Sequence, residues 1–216
     1  SDICRRHHVR VIADEIHCEL VMPGYEYTPF ASLSDETSAI TVTLNSPSKS
    51  FNTAGLMQSN VICSDIEMRR RVDRVINIFE VCEVNPFGPD ALVAAYNESE
   101  EWLDELNRYL YDNYLELKRF FAEYMPKIEV LKLEGTYLVW VDISALEFTS
   151  DELEAKLRDE GKVYLNSGTM YGRRAGQGYM RINIACPRSR MIDGLTRMAK
   201  VLAPYMEDDC DMGCPA

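Results

Sequence analysis

The chain has 216 residues, enough for one large domain or two small ones. Hydrophobic residues make up 46% of it and charged residues 27%, the balance of a soluble globular protein. The net charge of −12 disfavours non-specific binding to nucleic acid or to an anionic membrane, so we expect neither as a partner. No apolar run approaches the roughly 20 residues of a membrane span. Residues 1–17 lack the apolar core and cleavage site of a signal peptide.

The seven cysteines are odd in number and scattered, and no C-x-x-C pair occurs. This usage is typical of reduced thiols in a cytosolic protein, so we expect a cytoplasmic location and no metal site. Cys210 and Cys214 lie in an acidic tail at 208–216, which we expect to be flexible rather than metal-binding.

Alternating strand and helix patterns predict an α/β organisation for the first part of the chain. Apolar, β-branched runs predict strands at 9–17, 39–45 and 59–64, the first of them buried. Helices are predicted at 65–81 and 88–97. Apolar side chains spaced three and four residues apart then predict one face of a long helix that ends before Pro126: Leu103, Leu106, Leu110, Tyr114, Leu117, Phe121 and Tyr124.

The pattern after Pro126 is that of a smaller α+β domain. Strands are predicted at 127–133, 136–143 and 179–185. Thr149 and Glu152 form a capping box at the start of one helix, and Pro187 begins a last amphipathic helix. We therefore divide the chain into an α/β segment, a connecting helix and an α+β segment, at 1–97, 98–126 and 127–207.

Polar side chains follow two consecutive predicted strands. Asp14 and His17 come at the end of the first, and Ser46, Ser48 and Lys49 follow the second. Ligands of α/β sheets bind outside the carboxyl ends of the strands. Taken singly, Asp14 could cap a turn and Lys49 could be a solvated surface lysine. Together they suit pyridoxal phosphate, which needs a lysine for a Schiff base and an acid to keep its pyridine nitrogen protonated.

Four ordered stretches, ADEIHCEL, SPSKSFNTAGL, EGTYLVWVDI and YMRINIACPR, resemble the aminotransferase class I/II family of fold-type I pyridoxal-phosphate enzymes. Within that family, DEIH, SKSFNTAGL and GTYLVWVD resemble the cystathionine β-lyase branch of the maltose-regulon-modulator type. The resemblance extends to about residue 205. It implies an α/β large domain with a mostly parallel sheet, followed by a small α+β domain. It also implies that the chain is the C-terminal portion of a longer enzyme, because the family's upstream cofactor-binding segments have no counterpart here.

The resemblance implies a role for each of the candidate residues. Lys49 would carry the cofactor through a Schiff base and move the proton of the substrate Cα, and Asp14 would pair with the pyridine nitrogen. Arg181 would clamp the substrate carboxylate with its planar guanidinium, a surface ion pair being the alternative. The cofactor-binding residues implied in this way are Asp14, His17, Ser46, Ser48 and Lys49.

The sequence also supports expectations for a missing phosphate ligand, a structural arginine and two core aromatic residues. Met57 stands where many relatives have an arginine that grips the phosphate, so one phosphate ligand is missing. Arg188 is expected to be structural. Trp140 and Tyr137 are expected in the core of the small domain.

The reaction remains open between several possibilities. The branch resemblance favours β-elimination from cystathionine or a similar sulfur amino acid, and an aminotransferase is the alternative. Both reactions begin with removal of the Cα proton by Lys49. A further alternative is an inactive fragment that serves only structural or partner-binding roles, and we expect residues 1–216 alone to be inactive and to hold the cofactor weakly. The resemblance also implies a homodimer for the complete enzyme.

Overall fold

The computed structural model describes residues 1–207. The tail at 208–216, with its predicted flexibility and with Cys210 and Cys214, lies outside the described residues. The chain forms two compact units, Ser1–Asn107 and a second that begins at Arg108. The division into domains at residues 97 and 126 stays a prediction.

The first unit is built on a three-stranded sheet in the order β1 (Val11–Asp14), β2 (Thr41–Asn45) and β3 (Asn60–Ile62). β1 and β2 are parallel, whereas β3 is antiparallel to β2. The prediction of a buried strand at 9–17 is wrong in length and in burial, since the Ile12 side chain is 71% exposed. A parallel strand is buried when neighbouring elements cover it, and β1 pairs only with β2 among the described residues.

The helices at Ile66–Ile78, Gly88–Glu98 and Glu100–Tyr124 lie where the sequence predicts them, whereas those at Asp2–Arg6 and Asp35–Ala39 were not predicted. The Asp65 carboxylate accepts a hydrogen bond from the Met68 N–H at 2.6 Å and so caps the helix Ile66–Ile78. The bounds are α1 (Asp2–Arg6), α2 (Asp35–Ala39), α3 (Ile66–Ile78), α4 (Gly88–Glu98) and α5 (Glu100–Tyr124), with short 3₁₀ turns at Phe30–Ser32 and Ala54–Leu56. The unit boundary falls within α5.

The second unit contains a four-stranded antiparallel sheet in the order β4-β5-β7-β6. Its strands are β4 (Glu129–Val130), β5 (Leu138–Asp142), β6 (Asn166–Ser167) and β7 (Tyr179–Asn183). Burial alternates along β5 and β7, as expected for a sheet with one covered face. Val139 and Met180 are on the buried face, and Trp140 is on the other. The expectation that Trp140 belongs to the core is therefore wrong.

Two helices of the second unit begin where the sequence predicts. Thr149 and Glu152 form the capping box of α6 (Ser150–Lys156), which continues as a π-helical turn, Leu157–Gly161. α7 (Arg188–Leu202) begins after Pro187, and short 3₁₀ turns cover Gly168–Tyr171 and Ala203–Tyr205. The predicted apolar face of α7 is buried: Met191, Leu195, Met198 and Leu202. No helix within residues 1–207 has the length and apolar character needed to cross a membrane.

Candidate functional site

The ends of β1 and β2 lie at one edge of the first sheet, because the two strands are parallel and Asp14 is opposite Leu44. The Glu15 N–H donates to the Leu44 carbonyl at 2.8 Å and extends the pairing by one step. The Asp14 side chain is exposed, and its Oδ1 accepts a hydrogen bond from the Ile16 N–H at 3.3 Å. Asp14 therefore shapes a turn, while its Oδ2 makes no hydrogen bond with any described residue.

Lys49 lies in a turn after β2 that is fixed by several hydrogen bonds. Ser46 is buried, and its hydroxyl donates to the Gln58 carbonyl at 2.6 Å and accepts from the Ser48 N–H at 3.1 Å. The Phe51 N–H donates to the Pro47 carbonyl at 2.9 Å. Lys49 itself is exposed and forms no ion pair within residues 1–207. Its amine is thus accessible to a small molecule. The backbone on both sides of Lys49 is restrained by the hydrogen bonds of Ser48 and Phe51.

His17 lies in the turn that follows β1. Its carbonyl accepts a hydrogen bond from the Leu20 N–H at 3.0 Å, and its side chain is half-buried. The structure thus places His17 in the same turn segment as Asp14, and its role toward a cofactor stays a prediction.

Glu19 joins the two strand-end segments, a role that the sequence did not reveal. Its carboxylate accepts from the hydroxyl of Ser50 at 2.7 Å and lies 3.1 Å from the Tyr96 hydroxyl. Tyr96 also lies 2.7 Å from the Asn45 side-chain oxygen. Burial and the nearby Glu19 raise the pKa of Tyr96, so the phenol remains a protonated donor. Since Ser50 directly follows Lys49, this network positions the lysine-bearing segment against the turn after β1.

Cys18 lies beside this network and contacts one of its members. Its sulfur lies 3.1 Å from the Asn45 side-chain nitrogen. Burial is the main cause, and the charge of Glu19 the second, that raises the pKa of Cys18 to about 12. Because the thiolate is the reactive form of cysteine, this raised pKa disfavours reaction of Cys18 near neutral pH.

Met57 is the residue for which the family resemblance implies the loss of a phosphate-binding arginine. Its side chain is 82% exposed, and its backbone is left-handed with a φ of 49°. The thioether supplies no charge for a phosphate.

Arg181 lies on β7 in the second unit and is held by two neighbours. Its Nη2 donates to the side-chain oxygen of Asn166 at 3.2 Å, and its Cζ lies 4.3 Å from the ring centroid of Tyr171. No carboxylate of the described chain forms an ion pair with Arg181. The alternative of a surface ion pair is therefore not observed, and the role in substrate binding stays a prediction.

Arg188, in contrast, has a structural environment. Its Nε donates to the side-chain oxygen of Asn113 at 3.0 Å, and Asn113 donates to the carbonyls of Ile184 and Cys186. The guanidinium also lies 5.5 Å from the Tyr109 ring centroid. These contacts join α5 to the segment after β7 within the second unit.

The profile of the family described as aminotransferase class I and II matches residues 1–197. The chain belongs to this family. It is 39% identical over 203 residues to cystathionine beta-lyase PatB of Bacillus subtilis, covering 94% of this chain and 52% of that protein. It is 30% identical over 206 residues to protein MalY of Escherichia coli, covering 94% and 51%. The profile confirms the predicted family, and the relative from Bacillus subtilis carries the name of the branch that the sequence resembles.

Solved structures show the same fold. A PLP-bound putative aminotransferase from Clostridium difficile 630 has a TM-score of 0.90 at 40% identity, covering 93% of this chain and 52% of that chain. Cystalysin from Treponema denticola, which contains a pyridoxal 5′-phosphate cofactor, has a TM-score of 0.90 at 32% identity, covering 94% and 51%. The predicted fold class is confirmed, and the chain spans about half the length of the curated relatives it matches.

Proposed function

We propose that this chain is the lysine-bearing part of a pyridoxal-phosphate-dependent C–S lyase that acts on sulfur amino acids such as cystathionine. One observation carries the proposal: Asp14 is the last residue of β1 and Lys49 follows the parallel neighbour β2, so the chain brings both to the same edge of the sheet. Relatives named cystathionine beta-lyase support the reaction class. The proposal includes a small amino-acid substrate, a homodimer and a cytoplasmic location for the complete enzyme.

The residues at this edge have the chemistry that the cofactor requires. Lys49 offers an exposed primary amine without an ion-pair partner in the described chain, and Asp14 offers an exposed carboxylate with an uncommitted oxygen. Ser48 offers a hydroxyl to the phosphate. The Ser46 hydroxyl already donates to the Gln58 carbonyl, so Ser46 must release that bond before it can donate to a phosphate. The donor set therefore fits the cofactor, with Ser48 better placed as a donor than Ser46.

The proposed reaction assigns a separate task to each side chain. When bound, pyridoxal phosphate withdraws the electron pair left on the substrate Cα after deprotonation. Asp14 holds a proton on the pyridine nitrogen by its negative charge. Lys49 anchors the cofactor and then, as a free amine, removes the proton from Cα as a general base. Arg181 binds the substrate carboxylate. In sum, the sulfur amino acid and water give a 2-oxo acid, ammonia and a thiol.

An aminotransferase is the second candidate, because the matched family and one of the similar structures carry that name. The two reactions share the first proton transfer and differ in their products. Cystathionine is therefore incubated with the complete enzyme, with and without an added 2-oxo acid. Pyruvate and ammonia without the 2-oxo acid support the lyase, whereas amino transfer that requires it supports the aminotransferase. Absence of both products, together with absence of cofactor on Lys49, would identify a structural or partner-binding protein.

A further inference from the structure

The exposed face of the second sheet presents Arg181 between two aromatic residues and an amide. On β7, Met180 and Ile182 are buried on the core side, which places Arg181 on the opposite side of the sheet. The strand register puts Trp140 of β5 and Asn166 of β6 directly across from Arg181. Long-range strand pairing thus assembles this cluster.

Two of these neighbours restrain the guanidinium in different directions. Asn166 accepts from Nη2 at 3.2 Å and so fixes the group within its own plane. The amide orientation of Asn166 is supported by its nitrogen, which lies 3.7 Å from the Met170 sulfur. The Tyr171 ring lies 4.3 Å from Cζ and limits movement out of the plane. Tyr171 is in turn held edge-on by Trp140, with ring centroids 5.4 Å apart.

The Arg181 guanidinium has more hydrogen-bond donors than acceptors in its surroundings. Its Nε is buried and has no hydrogen-bond acceptor in the described chain. The Nη2–Asn166 bond is the hydrogen bond that the structure assigns to this side chain, and no carboxylate within residues 1–207 neutralises its charge. A partly buried cation without a counter-ion is unfavourable unless a ligand compensates it. An arginine of this kind is suited to bind a carboxylate through its remaining Nη1 edge.

We propose that Asn166 and Tyr171 are positioning residues that hold Arg181 ready for a carboxylate ligand. The inference rests on the proposed function in one respect: it takes that ligand to be the α-carboxylate of the amino-acid substrate. The physical basis is preorganisation. A free arginine loses rotamer entropy when it binds, whereas a guanidinium already fixed by an amide and a ring loses less and therefore binds more tightly.

The proposal is tested on the 216-residue chain by NMR of its ¹⁵N-labelled arginine side chains. The Arg181 Nε–H signal is assigned by its loss in Arg181→Lys and is followed during titration with sodium acetate and with L-alanine. The wild type should show a saturable shift. Asn166→Leu and Tyr171→Leu should each weaken binding about tenfold, the effect of losing one polar or cation–π contact in a partly desolvated place. Tyr171→Phe keeps the ring and should bind like the wild type.

Matched variants separate positioning from a general effect on folding. Asn166→Asp keeps the acceptor but adds a competing negative charge, so it should retain the Arg181 signal while weakening acetate binding. Arg173→Gln, at an exposed arginine nearby in sequence, should change nothing. Leucine variants that unfold at the wild-type temperature yet bind acetate as the wild type does would overturn the proposal. An unshifted Arg181 signal in the wild type would do the same.

The outcome is independent of the proposed enzyme activity. Cofactor attachment to Lys49 is measured separately by borohydride reduction and peptide mapping. Tight acetate binding without cofactor on Lys49 would leave the positioning intact and remove the proposed function. If the cofactor is attached to Lys49 but the leucine variants bind acetate as the wild type does, the proposed function stands and the positioning role of Asn166 and Tyr171 is removed.

Discussion

The second unit buries most of the apolar core of the described chain, whereas the first unit leaves large apolar side chains exposed. Among the described residues, the buried apolar side chains of the first unit are Leu20, Met22, Val42, Cys63 and Ala95, and all the others belong to the second unit. Exposed apolar side chains of the first unit include Ile12, Ile78 and Phe79.

The cause of this difference is the kind of sheet in each unit. The antiparallel sheet of the second unit needs only one covered face, which its own helices provide. The parallel pair β1 and β2 requires cover on both faces. A groove of about 490 Å³ runs along it and is lined by Val11, Ile12, Val42 and the apolar side of α3. The candidate lysine is thus carried by the unit that is less completely covered.

The largest expected effect concerns Lys49. Lys49→Ala in the complete enzyme should abolish cofactor attachment and lower the rate of pyruvate release by more than about 10³-fold, because both the anchor and the general base are lost. Lys200→Ala, at an exposed lysine of the second unit, is the matched control and should be active. Borohydride reduction followed by peptide mapping gives the position of the cofactor. A pyridoxyl group on a different lysine would contradict the assignment.

The incomplete cover of the first unit predicts a property of residues 1–216 alone. We expect this chain to bind an apolar fluorescent dye strongly, to hold pyridoxal phosphate weakly and to release no pyruvate from cystathionine. Ile12→Lys should reduce dye binding, because it places a charge in the groove. Stoichiometric cofactor binding with turnover would show that the first unit needs no further cover.

Core truncation should separate the two units in stability. Leu153 is 0% exposed, so Leu153→Ala should lower the free energy of unfolding of the second unit by about 2–5 kcal/mol. Ile12→Ala should change stability by less than about 0.5 kcal/mol, since that side chain is largely exposed. Urea unfolding is followed by Trp140 fluorescence in a Trp102→Phe background for the second unit, and by Trp102 fluorescence in a Trp140→Phe background for the first unit. Equal losses for the two variants would contradict the comparison.

The network at Glu19 should make a smaller contribution, within the first unit. Ser50 is 0% exposed and donates to the Glu19 carboxylate. Ser50→Ala should therefore cost about 1.5–3 kcal/mol of stability, the usual worth of a hydrogen bond to a charged group. Ser48→Ala is the control, because the hydroxyl of Ser48 makes no hydrogen bond with the described residues. The difference in stability between Ser50→Ala and Ser48→Ala is measured by hydrogen exchange of the backbone amides near residue 50 at increasing denaturant concentration.

The smallest effect is a pH dependence in the second unit. The hydroxyls of Ser167 and Thr169 each donate to Asp151 at 2.5 Å and lower the pKa of that carboxyl below its ordinary value of 3.8. The ionised form is thus favoured by folding, so its contribution is complete above pH 3.8 and is lost as the pH falls through the lowered pKa. Thermal unfolding of Asp151→Asn should differ from the wild type at neutral pH and converge with it in acid. A constant difference down to acid pH would show that the effect is not electrostatic.

Sequence patterns were sufficient for the helices from α3 to α7, because a helix is decided largely by residues three and four positions apart, but they did not reveal the five-residue helices α1 and α2. The apolar face of α7, the capping box at Thr149 and the end of α5 before Pro126 all occur where predicted. The order of four short stretches was likewise sufficient for the family. The roles of Lys49, Asp14 and Arg181 toward a ligand stay predictions.

Only the tertiary structure decided the features that depend on strand pairing. Within residues 1–207 β1 has one strand neighbour and Ile12 is exposed, and Trp140 lies opposite the core because of the register of β5. Glu19 meets Ser50 across 31 residues, and Asn166 meets Arg181 across 15. No local period marks such pairs, since their spacing along the chain is set by the loops between them. The sequence by itself determined the helices from α3 to α7 and the family, and the folded sheets decided which polar side chains meet.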